Sequence, residues 1–137
     1  MTASTDLGLD LGTLSSDSNL DPKAGGVEKQ YHFLKLSATG VEPLAAGSDV
    51  AVGVLQNKPR AGQPATLRTL GMSKVVAGGA IAVGEDLFLT AAGRVVNEAT
   101  AAAGDRHVGT ALEAAAADGE IVAVYLAPLH GKSFTKA

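Results

Sequence analysis

The chain has no cysteine and no tryptophan. The first absence excludes a disulfide framework and any thiolate metal site, so packing alone must hold the fold. Aromatic residues are scarce: Tyr31, Phe33, Phe88, Tyr125 and Phe134 are the only five in 137 residues. No apolar run approaches the roughly 20 residues that span a bilayer. The first residues, MTASTDLGLDLG, have neither the positive start nor the long apolar centre of a secretory signal. No membrane partner is expected, and synthesis and assembly are expected in the cytoplasm. A basic stripe is also missing: residues 1–27 carry Asp6, Asp10, Asp17 and Asp21 against Lys23 alone, and the remainder holds ten acidic and ten basic residues. A neutral body argues against nucleic acid as a partner, because such binding relies on Lys and Arg releasing phosphate counterions.

What is plentiful is alanine, at 25 residues, which makes the hydrophobic fraction of 46% misleading. Alanine buries little area, and apolar burial stabilises by roughly 25 cal/mol per Å². The length fits one domain, and the modest gain per residue points to an oligomer.

The most organised stretch runs from Asp49 to Leu70, DVAVGVLQNKPRAGQPATLRTL, and reads as one β-hairpin. Val50, Val52 and Val54 alternate with small residues, Asn, Pro and Gly mark the turn between Gln56 and Gln63, and Leu67 to Leu70 return. A second copy of this plan closes the chain as RHVGTALEAAAADGEIVAVYL. The two copies are expected to be paired edges of one small sheet structure. Between and before them, Tyr31 to Leu36 alternates as the first strand of the body, ended by Thr39-Gly40 and Glu42-Pro43. Ser73 to Val76 is a short strand, and Gly78, Gly79 and Gly84 make a helix after it improbable. Asp86 to Thr90 and Arg94 to Val96 form a hairpin in which Gly93 supplies a positive φ. Asn97 to Asp105 is a loop, Arg106 to Leu112 and Glu120 to Leu126 are the closing strands, and the tail LHGKSFTKA shows no period. About eight short strands with frequent turn signals give an all-β fold, a small β-barrel or sandwich.

Residues 1–27 read differently from the body at 28–137. Rich in Ser, Asp, Gly and Thr, they have too little large apolar surface to fold alone. Leu7, Leu9 and Leu11 alternate with Gly8 and Asp10, a period of two that suits a strand added to another protein's sheet edge. The segment is therefore read as an extended N-terminal arm. Leu7, Leu9, Leu11 and Leu14 are its candidate contact residues, and the body is expected to stay folded and oligomeric when residues 2–26 are removed.

Candidates for chemistry are thin. His32, His107 and His130 are far apart in sequence and lack metal-motif spacing. Gly131-Lys132-Ser133 resembles the end of a phosphate loop, but too few residues follow to build the required helix. Ser133 and Lys136 have the spacing of some serine acyltransferases without the surrounding enzyme. Glu85, Asp86, Asp105 and Arg106 lie at turns, where acidic groups cap and face water. Lys58, in the hairpin loop, lacks the neighbours of a lipoyl or biotinyl lysine. No catalytic residue, cofactor or metal is expected, and the chain does not read as an enzyme.

The run VAVGVLQNKPRAGQPATLRTLGMSKVVAGGAIAVGEDLFLTAAGRVV, followed by RHVGTALEAAAADGEIVAVYL, resembles the capsid decoration (head cement) proteins of tailed double-stranded-DNA phages. The likeness rests on the Gly53-Val54-Leu55 hairpin, the segment Ala77-Gly78-Gly79 with Ile81, Gly84 and Leu87, and Val108-Gly109 with Ala111-Leu112-Glu113, and it covers about residues 49–126. It implies a β-tulip-like domain forming a homotrimer at three-fold and quasi-three-fold positions outside the shell. It also implies an arm that pairs with the major capsid protein. A small β-barrel that binds a ligand or glycan on the virion surface is the competing class.

Overall fold

Phe33 and Leu34 are consecutive and both fully buried. Neighbouring side chains in a strand point to opposite faces, so this pair requires cover on both sides of its sheet. Val54 and Leu55 repeat the demand. The computed structural model describes residues 11–137 apart from 17, 22, 24 and 128–134, and it meets the demand with two five-stranded sheets. The strands are β1 (Leu11–Ser15), β2 (Phe33–Leu36), β3 (Val41–Pro43), β4 (Gly53–Leu55), β5 (Pro64–Arg68), β6 (Met72–Val76), β7 (Asp86–Leu89), β8 (Val95–Asn97), β9 (His107–Ala111) and β10 (Ile121–Leu126). The first sheet has the order β1-β5-β4-β2-β3 and the second β6-β10-β9-β7-β8. All ladders are antiparallel. The described residues hold no α-helix, and Ser18–Leu20 is a short 3-10 turn, so the all-β reading holds.

Each sheet curls until its outer strands touch at a single parallel bridge, Ser16 with Val41 in the first and Ala77 with Val95 in the second. One bridge per seam leaves both curls open, so the molecule is a pair of packed, incompletely closed sheets. Inside the second curl lie Val75, Leu87, Leu89, Val95, Val108 and Val124, with Phe33, Leu44, Ala51 and Val54 of the first sheet packed onto them. Leu34, Val41, Leu55, Ala65 and Leu67 form a separate cluster on the opposite face of the first sheet, closed by Leu20 and flanked by Leu14. A third cluster, Phe88, Val96 and Ala101, sits where the loop after β8 folds over the outside of the second sheet.

Three expectations need correction. The two similar hairpin copies do not pair: β4 and β5 belong to the first sheet, β9 and β10 to the second. Each hairpin finds partners within its own curl, and similarity of pattern carries no information about which edge it meets. Val41–Pro43, read as a break, is a strand. Pro43 is tolerated because β3 is the outermost strand of its ladder, where a missing N–H costs little. Residues 11–21 are part of the body rather than a leader ahead of it: β1 pairs with β5 from Leu11 opposite Arg68 to Ser15 opposite Pro64. Leu20, only 2% exposed, fills the core of the first sheet.

Leu20→Ala should therefore lower stability by about 2–5 kcal/mol, the range for removing a buried leucine side chain, read as a shift in the urea midpoint at unchanged slope. Removing residues 2–21 should lower the melting temperature steeply, because Leu34, Leu55 and Leu67 lose the cover of Leu20.

Candidate functional site

The junction between the two sheets is built from Gln30 to Phe33. Tyr31, the one non-glycine residue with positive φ among those described, at 65°, turns the chain so that its N–H donates to Leu55 O while its own carbonyl accepts from Val76 N. One residue thus joins β4 to β6. Phe33 N donates to Gly93 O, at 2.9 Å, tying β2 to the turn between β7 and β8. Gly93 has the positive φ expected of it, 82°, and an added Cβ would lie 2.6 Å from Phe33 O. Side chains reinforce the same joint: Gln30 Nε2 donates to Gln56 O, Gln56 Nε2 to Ser73 Oγ, and Lys29 Nζ to Ala92 O.

His32 is the buried titratable group of this joint. Arg94 Nε donates to its Nε2 at 3.2 Å, and its Nδ1 lies 3.0 Å from Gln30 O. Because a guanidinium can only donate, Nε2 must accept and Nδ1 must carry the proton. Arg94 continues to Asp118 at 2.7 Å, reaching the loop between β9 and β10. Burial holds His32 below its ordinary pKa; the Gln30 carbonyl opposes this, and the Lys29 and Arg94 cations add to the lowering. Lys29 is lowered too, first by burial and then by Arg94. At the far end of the first sheet, burial would raise Asp49, but N–H groups of Ala45 and Ala46 and the Lys35 ammonium outweigh it and hold the carboxyl below its usual range.

The arm residues named from sequence fall into two groups. Leu7 and Leu9 lie outside the described residues. Leu11 opens β1 opposite Arg68, and Leu14 packs, half-buried, on its own chain's inner cluster. Beyond β1 the chain is fastened by Ser16 Oγ to Arg60 O at 2.8 Å and by Ala61 N to Asp21 Oδ2 at 3.1 Å. The seam bridge at Ser16 is the one strand contact between β1 and β3, so the outer side of Leu11–Ser15 has no ladder partner among the described residues.

No group of three or more His, Asp or Glu that could hold a metal ion occurs among the described residues. His107 faces Asp86 at 3.4 Å and packs edge-on against Phe88, while His130 and Gly131-Lys132-Ser133 lie outside the described residues. Asp105 Oδ2 accepts from Ala102 N, a turn cap as expected. Lys58 lies in a loop braced by Asn57, whose amide donates to Pro64 O and accepts from Thr66 N. It lines a hollow of about 210 Å³ together with Leu20 and Pro59, the cations Lys23, Lys29 and Arg60 and the carboxylates Asp21 and Glu28. A second groove of about 350 Å³ runs along β6, between Tyr31, Gln56 and Arg68 on one side and Met72, Lys74 and Ala123 on the other. Beside it the outer face of β6 and β10 leaves Met72, Ile121 and Tyr125 more than half exposed. Composition could not reveal this strip, because the same alternation serves a covered sheet face.

The sign of the His32 effect sets a pH dependence. The folded state resists protonation of His32 while the unfolded chain accepts a proton near pH 6.5, so below that value unfolding takes up a proton. Stability from this group is fully present above about pH 6.5 and declines as pH falls toward the lower folded value. In urea titrations, His32→Gln should flatten that part of the pH profile; an unchanged slope would remove His32 as its source.

Comparison with known proteins agrees with this geometry. The sequence pattern of the phage cement protein family matches residues 30–126, from the junction to the end of β10. No curated protein sequence matches the chain. Among solved structures, the head fibre gp8.5 N base of bacteriophage phi29 is similar in fold, with a TM-score of 0.55 and 23% identity over 72% of this chain and 84% of that one. The family match spans the β-rich body and well over half of the chain, and it shows the family: the chain belongs to the phage cement proteins.

Proposed function

We propose that the protein decorates the outside of an expanded tailed-phage head, as a trimer at three-fold and quasi-three-fold positions, and that it strengthens the shell against the pressure of packaged DNA. Family membership is the observation that carries this reading. A cement acts by mass action. A ligand that binds only the assembled lattice stabilises it by RT ln(1 + [L]/Kd), about 2.7 kcal/mol per site at a hundredfold excess over Kd. Three linked subunits raise the effective concentration of each contact, so weak contacts hold together.

The major capsid protein is the proposed partner, met through the N-terminal region. The seating of β1 divides the proposed contact. Leu7 and Leu9 precede the fastened strand and supply side chains, while Leu11 and Leu14 act through the outer main-chain edge of β1, where a capsid strand can extend the ladder. This placement supports the reading because β1 is the outermost strand in its sheet order.

Two measurements test the proposal. Expanded heads mixed with protein lacking residues 2–10 should pellet with far less bound protein than with the full chain, although the variant remains folded; equal occupancy would refute the arm contact. Sedimentation equilibrium should give about three times the 13.7 kDa chain mass, and a monomer both in solution and on the shell would refute the trimer.

A further inference from the structure

Most of the described Lys and Arg side chains reach a partner. Lys35 meets Glu42 and Asp49, Arg94 meets Asp118, Lys29, Arg106 and Lys136 donate to carbonyls, and Lys74 lies over Tyr31. The cationic ends of Lys23, Lys58 and Arg60 have no such partner among the described residues. All three line one hollow, the one of about 210 Å³ that also takes in Lys29.

The carboxylates of the same hollow are turned to the backbone. Asp21 accepts from Lys23 N with Oδ1 at 2.9 Å and from Ala61 N with Oδ2 at 3.1 Å, and Glu28 Oε1 accepts from Gln30 N at 2.6 Å. Four cations against two carboxylates leave an excess of two positive charges. The lining also includes Leu20 and Pro59, both buried, so the hollow suits an anion carried on an apolar stem. It adjoins the end of β1, where Ser16 Oγ donates to Arg60 O at 2.8 Å and Asp21 holds the next residue, Ala61.

We propose that this hollow receives an acidic side chain of the major capsid protein, with its carboxylate among Lys23, Lys58 and Arg60 and its methylene stem against Leu20 and Pro59. The proposal rests on the reading that the protein binds heads, and it names the chemistry of the contact beside β1. Charges in a partly enclosed hollow are screened less by salt than charges on an open surface, so the unpaired cations favour an acidic partner over a neutral one. A capsid strand on the outer edge of β1 and an acidic group in the hollow then hold the same partner at two points.

The test binds the full chain to expanded heads and treats the complex with a carbodiimide, which joins adjacent carboxylates and amines at zero length. Mass spectrometry of the digest should show Lys58 or Lys23 joined to an Asp or Glu of the major capsid protein. Affinity is measured in parallel by pelleting. K58Q with R60Q alters two exposed side chains and should keep the melting temperature, yet weaken binding roughly tenfold at about 0.1 M salt, as for two partly screened ion pairs. The loss should shrink at about 1 M salt, where the screening length falls to about 3 Å. K74Q with K136Q removes the same charge elsewhere and should bind as the unaltered chain does. Equal binding by the K58Q, R60Q protein would overturn the proposal and leave the head reading intact. So would absence of the capsid link, or links from these lysines only to a second copy of this chain. Failure of the unaltered chain to bind heads would instead refute both.

Discussion

The structure depends on a short joint in which Tyr31 takes a left-handed backbone conformation to serve two sheets at once. Its N–H is bound by β4 and its carbonyl by β6, and two residues later Phe33 is bound by Gly93. A bulky residue at positive φ is disfavoured by about 1–3 kcal/mol, so these bonds, with the Gln30, Gln56 and Ser73 network, must outweigh the strain. A second tie joins the two curls away from this joint, where Arg106 N and Nε donate to Gly47 O and Ser48 O. His32 sits within the same joint, where burial lowers its pKa and Arg94 donates to its Nε2.

Much of this was legible where the signal is local. The β4–β5 and β7–β8 hairpins follow from Gly62 and Gly93, both with positive φ, between alternating apolar runs. Non-local features were not legible. Leu20 lies among Ser, Asp and Asn, and its burial arises because Leu34, Val41, Leu55, Ala65 and Leu67, 14 or more residues away, leave a space of its size. Tyr31 belongs to an alternating run and reads as strand; only the simultaneous demands of Leu55 and Val76 turn it out of one. The family resemblance was legible because its glycines and apolar positions are fixed by those local turns, and the match to residues 30–126 includes the joint as well.

For the site, the leucine pattern located a contact segment but not its division. Period two is the same whether a strand joins its own sheet or another's, and the structure uses part of the run, Leu11 and Leu14, at home. The exposed Met72, Ile121 and Tyr125 were hidden for the converse reason, since a half-apolar strand does not say which face will be covered.

A cryo-electron microscopy map of expanded heads saturated with the full chain tests the central claim most directly. The account predicts two small curled sheets per subunit in threes on the outer surface, with β1 lying against the major capsid protein. A shell whose exterior stays bare at saturating protein would contradict it.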